Sequence, residues 1–95
     1  MATVRISKPL TEAKIQRDII KELEARGWYV VKLIQTTKNG IPDLIVHKMG
    51  LTAYLEVKRP GHKLAVLQQL RFDELKAVGI MAYMVSGVED LKLFK

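Results

Sequence analysis

The stretch from Gly40 to Lys58, GIPDLIVHKMGLTAYLEVK, constrains the fold of this chain more than any other. It reads as two short apolar strands, Leu44–His47 and Ala53–Val57, joined by a turn at Met49–Gly50. Glycine supplies the positive φ that a tight hairpin turn demands. A hairpin centred between Met49 and Gly50 sets Asp43 opposite Glu56. Lys58 follows two residues later, so it projects from the Glu56 face while Val57 points to the other. Two carboxylates and an amine then converge at one end of a small sheet. Such groups are costly to bury unless they are paired or bind a cation. That convergence is the functional signal of the sequence.

A chain of 95 residues makes one domain (1–95) with a modest single core. With 48% hydrophobic and 27% charged residues it has the composition of a globular protein and not of a disordered one. Its net charge of +6 and pI near 9.7 suit a polyanionic partner, nucleic acid before an anionic membrane. The absence of cysteine excludes disulfides and cysteine-based zinc sites and fits a reducing compartment. No stretch approaches the roughly 20 apolar residues of a membrane helix, and no signal peptide is recognised, so the expected location is cytoplasmic.

Residues 1–10 read as a basic N-terminal arm containing Pro9. Thr11 is an N-cap candidate, and Ile15, Ile19 and Leu23 recur at helical spacing until Gly27 ends the run. Glu12 falls on this apolar stripe instead of opposite it, which turns a third acid inward. Trp28–Ile34 is rich in aromatic and β-branched residues and predicts a strand. Pro42 marks the start of the next strand because proline cannot donate to a sheet ladder. After Arg59–Pro60–Gly61 a second helix is expected over Leu64–Val78. Its stripe is formed by Leu64, Leu67, Phe72, Leu75 and Val78, with Gln68 inside it. Arg71 also falls on the stripe, without an assigned role. Ile80–Ser86 predicts a last strand, and Ser86 caps a short final helix expected from Val88 to Phe94. The order is αβββαβ with a helical tail, an α/β fold with a mixed sheet flanked by helices.

This order, with Gly40-Ile41-Pro42-Asp43, Glu56-Val57-Lys58, Pro60-Gly61-His62-Lys63-Leu64 and Gln68, resembles the PD-(D/E)XK nuclease superfamily. The resemblance is closest to the virus-type replication-repair nuclease (VRR-NUC) branch and runs from Glu12 to about Asp90. One departure is Ala65, where a small hydroxyl residue is expected as helix cap. The resemblance implies a restriction-endonuclease-like core, with Asp43, Glu56 and the Val57 main-chain carbonyl as ligands of Mg²⁺ or Mn²⁺. It implies that Glu12 completes the acidic cluster, through a metal-bound water. Lys58 would orient or activate the attacking water, with Gln68 supporting it from the second helix. The expected activity is metal-dependent endonucleolytic hydrolysis of DNA, on four-way (Holliday) junctions, by a homodimer.

The same chemistry follows from the residue types. Phosphodiester hydrolysis requires a nucleophile in line with the leaving oxygen and neutralisation of charge at the phosphate. A hard cation on carboxylates and water supplies the second, and a lysine beside it adds fixed positive charge. Lys38, Arg59, His62 and Lys63 flank the proposed site, where backbone contacts are useful. His47 reads as a surface or packing histidine, Trp28 and Tyr29 as packing residues, and Met81 and Met84 as core filling. Other readings are a flap, nicking or restriction-like nuclease, and, from a different class, a catalytically silent nucleic-acid-binding module. A pure binder gains nothing from carboxylates facing a phosphate backbone.

Overall fold

The structure, a computed structural model, describes residues 10–95, so the basic arm expected at the N-terminus lies outside the described residues except for Leu10. Helix α1 spans Glu12–Ala25 and strand β1 Tyr29–Lys32. The hairpin is formed by β2, Leu44–Lys48, and β3, Leu51–Val57, and is followed by helix α2, Val66–Ala77, and strand β4, Met81–Val85. The sheet order is β1-β2-β3-β4, antiparallel as far as β3 and parallel between β3 and β4. This is the mixed α/β architecture that the order of elements predicts.

Helix α1 starts where the side chain of Thr11 accepts the Lys14 N–H at 3.1 Å, one of the donors that a helix start leaves without a backbone partner. Its stripe of Ile15, Ile19 and Leu23 is buried against Leu44, Val46, Leu55, Val57 and Val85. In the hairpin, Met49 and Gly50 both adopt positive φ, 50° and 80°, the twisted turn that matches the strands. Leu44 then pairs with Leu55 and Val46 with Ala53, so the even residues of β2 and odd residues of β3 share the α1 face.

Three elements differ from expectation. Strand β1 is confined to Tyr29–Lys32: the Leu33 N–H donates once more across to the Asp43 carbonyl at 2.8 Å, and the chain then leaves the sheet as a polar loop. Helix α2 begins at Val66, with Ala65 at the cap position in extended conformation (φ −68°, ψ 159°). Of its expected stripe, Leu64, Phe72 and Leu75 are half-buried while Leu67 and Val78 are exposed. The C-terminal helix is a single 3₁₀ turn, Val88–Asp90, entered from Gly87 and not capped by Ser86. Instead, the Ser86 N–H donates to the Asp90 carboxylate at 2.7 Å. The tail is held by burial of Leu91 and Phe94, whose carbonyls both accept from Arg26 Nη1, at 2.7 and 3.1 Å. Successive three-residue turns (Leu91 to Val88, Phe94 to Leu91) satisfy those anchors better than a continuous α-helix would.

Candidate active site

Register builds the site. Beyond the Leu44–Leu55 pair the ladder between β2 and β3 ends, because Pro42 has no N–H to offer. The Asp43 carboxylate takes over: its Oδ2 accepts the Val57 N–H at 3.0 Å. One oxygen of Asp43 is thereby fixed to the strand that carries Glu56. On that strand Glu56 points away from the α1 core and is only 3% exposed, the single buried charged residue among those described.

Burial is the main reason that the Glu56 carboxyl is pushed up to about 8. The negative charge of Asp43 and a hydrogen bond to its carboxyl add to this, Lys58 pulls in the opposite direction, and Glu12 contributes least. Lys58 Nζ lies 3.9 Å from Glu56 Oε2, with the lysine side chain 15% exposed. Its backbone N–H donates to the Val85 carbonyl at 3.0 Å, which ties the end of β3 to β4. Asp43, Glu56, Val57 and Lys58 are therefore brought together at one end of the sheet.

Other expected residues sit further out. Glu12 is exposed in the first turn of α1, and its charge reaches Glu56 without making a three-acid cluster: among the described residues no group of three His, Cys, Asp or Glu is placed to hold a metal. Gln68 is used locally. Its side-chain oxygen accepts the Ala65 N–H at 2.8 Å, the half of a capping box that does not need a hydroxyl at the cap position. Lys38 lines a groove of about 340 Å³ with Gln35, Thr36, Asn39 and Asp43. Arg59, His62 and Lys63 are exposed on the loop between β3 and α2, where the His62 N–H closes a turn onto the Arg59 carbonyl.

Arg71, unassigned from the sequence, is a clamp for this groove. Its Nε donates to the Asn39 carbonyl at 2.8 Å, and its Nη1 pairs with Glu74 at 2.8 Å. The hydrogen bond from Arg71 holds the Glu74 carboxyl below its ordinary range. Beside this clamp, Gly40 adopts φ +81°, and a Cβ there would approach Leu67 Cγ to 2.8 Å, so glycine is required. Nothing in the sequence marks a helical arginine as the partner of a loop carbonyl; the stripe position was the one signal.

Trp28 is buried, packed edge-on against Phe94 at 5.3 Å between centroids, whereas Tyr29 is 70% exposed and lies outside the core. Met81 and Met84 are exposed rather than core, since they lie on an edge strand. His47 is half-buried and bonded to Thr52 at 2.8 Å.

No family model and no curated protein matches this sequence. A solved structure described as a VRR_NUC domain superposes with a TM-score of 0.77 at 25% identity, over 86% of this chain and 90% of that one. No helix among the described residues is long and apolar enough to cross a membrane. With its mixed sheet, flanking helices and carboxylate-lined sheet end, the chain has the VRR-NUC fold.

Proposed function

We propose that this chain is a metal-dependent endonuclease that hydrolyses DNA phosphodiester bonds, acting on four-way junctions as a homodimer. The observation that carries the reading is the buried Glu56 carboxyl set beside the half-buried Asp43 carboxylate, with Lys58 next to it. The described likeness to a VRR_NUC domain supports the nuclease class.

The donor set fits a hard divalent cation. Two carboxyls held side by side at one end of the sheet, one of them buried, are stabilised by a positive charge between them, and oxygen ligands suit Mg²⁺ or Mn²⁺. Asp43, Glu56 and the Val57 carbonyl would hold the ion, with Glu12 contributing through a water. A bound cation polarises water and offsets charge on the phosphate. Lys58 then orients the attacking water and stabilises the developing negative charge. Gln68 keeps the start of α2, and through it the Gly40 loop, in register with the site. Lys38, Arg59, His62 and Lys63 receive the DNA backbone on either side, consistent with the charge of +6.

The homodimer reading is supported by α2, which has no buried residue and exposes Val66 and Leu70 on the side away from Phe72 and Leu75. A two-fold pair presents two sites to a branched substrate. The test is cleavage of labelled four-way junction, flap and linear duplex DNA, with Mg²⁺ or EDTA, by the wild type and Asp43→Ala. Paired, metal-dependent cuts in the junction that vanish in Asp43→Ala support the reading. Cuts in flap or linear DNA keep the nuclease and discard the junction. Binding without cleavage under every condition leaves a silent binder.

A further inference from the structure

The sheet face that carries Glu56 continues beyond the carboxylates as an ordered polar and aromatic surface. Cross-strand neighbours share a face, so the register sets three rows across it. The first is Asp43, Glu56 and Met84; the second Val31, Ile45, Tyr54 and Ala82; the third Tyr29, His47 and Thr52. Among these, Glu56 alone is buried.

The third row holds an aromatic pair in which Tyr29 is exposed and His47 half-buried. Tyr29 is 70% exposed, and its ring lies 6.3 Å from the His47 ring at 44°. His47 is itself fixed by its 2.8 Å hydrogen bond to Thr52. Two rings are thus held at one end of a face whose other end carries the site for phosphodiester chemistry. From Asp43, just before β2, to His47 the four residue-to-residue steps span roughly 13 Å.

We propose that Tyr29 and His47 form a stacking site for an unpaired base of the strand whose backbone crosses the Asp43–Glu56 row. The proposal rests on the nuclease reading and adds a preference for DNA with unpaired nucleotides near the cut. The charge of +6 favours a nucleic-acid occupant, and the continuity of the face with the carboxylate row sets where the strand lies. Aromatic rings accept every base face, so the preference is for exposed bases and not for sequence.

The experiment measures the affinity of fluorescein-labelled duplex, fully paired or with a short single-stranded tail, in the Asp43→Ala background so that cleavage does not intervene. Adding Tyr29→Ala is expected to weaken binding of the tailed DNA about tenfold or more while the fully paired duplex stays within about twofold. Tyr29→Phe, which keeps the ring, retains the tailed-DNA affinity. Because Tyr29 is exposed, circular dichroism is expected to show an unchanged fold. Equal loss on both DNAs, or no loss on either, overturns the stacking site. If the background protein binds no DNA while the wild type also fails to cleave, the nuclease reading falls and takes this one with it. Cleavage by the wild type together with an unchanged tailed-DNA affinity in Tyr29→Ala overturns the stacking site alone.

Discussion

The two faces of the sheet are built differently. Toward α1, Leu44, Val46, Leu55, Val57 and Val85 are sealed beneath Ile15, Ile19 and Leu23. On the face away from α1, Val31, Ile45, His47, Thr52 and Tyr54 are half-buried, and the one closed side chain is a carboxylate, Glu56. One face carries the hydrophobic stabilisation; the other keeps two neighbouring carboxyls, a lysine and the exposed Tyr29 ring within reach of a ligand. Stability and chemistry are divided between the two surfaces of four strands. The division explains how a chain this short keeps a buried carboxyl beside a second one: α1 packing holds the strands, and the hydrogen bond from the Val57 N–H to Asp43 fixes the second carboxylate next to Glu56.

The comparison breaks first on core truncation. Ile19→Ala, at a fully buried position, is expected to cost about 2–5 kcal/mol in denaturant unfolding, and Ile45→Ala on the open face clearly less. Equal costs would abolish the division. A sharper probe is Glu56→Gln in metal-free protein. The folded Glu56 carboxyl sits at about 8 against an ordinary 4.5, so the folded state binds the extra proton between those values. Its contribution is fully present below pH 4.5 and is lost as pH rises through about 8. Thermal melts across that window are expected to show the wild type losing stability relative to Glu56→Gln as pH rises. A constant difference between the two would place Glu56 in a solvated setting.

Smaller effects test the frame of the site. Gly40→Ala introduces a Cβ against Leu67 at a positive φ and is expected to cost about 1–3 kcal/mol. Leu70→Ala, on the outer side of α2 at 48% exposure, is expected to change the stability of the isolated chain by under about 0.5 kcal/mol. A loss that grows with protein concentration in the wild type would instead assign Leu70 to an interface between copies.

Much of this division was legible in the residues. The Met49–Gly50 turn fixes the register, and the register places Asp43 beside Glu56, so the core of the site follows from a short stretch. Thr11 and the Ile15, Ile19, Leu23 stripe likewise mark α1, because capping and periodicity are local properties. What escaped was set by tertiary packing. Trp28 and Tyr29 are adjacent where the chain enters β1, and the alternation of extended chain sends one into the core and the other to solvent, but the sequence does not say which. The tail fails as a helix because Phe94 is drawn against Trp28 and Tyr83 and Leu91 into the core, contacts that span the chain. Arg71 and Gln68 are helical residues that serve a loop carbonyl and a helix start, roles that depend on where α2 lands.

The central claim is that the Asp43–Glu56 pair is a divalent-cation site. Calorimetric titration of Mn²⁺ into metal-free protein near pH 7, repeated in buffers of different ionisation enthalpy, tests it directly. The account predicts one cation per chain, release of a proton on binding because Glu56 is held protonated there, and loss of both signals in Glu56→Gln. Binding of undiminished affinity in Glu56→Gln, or no binding to the wild type, would contradict it.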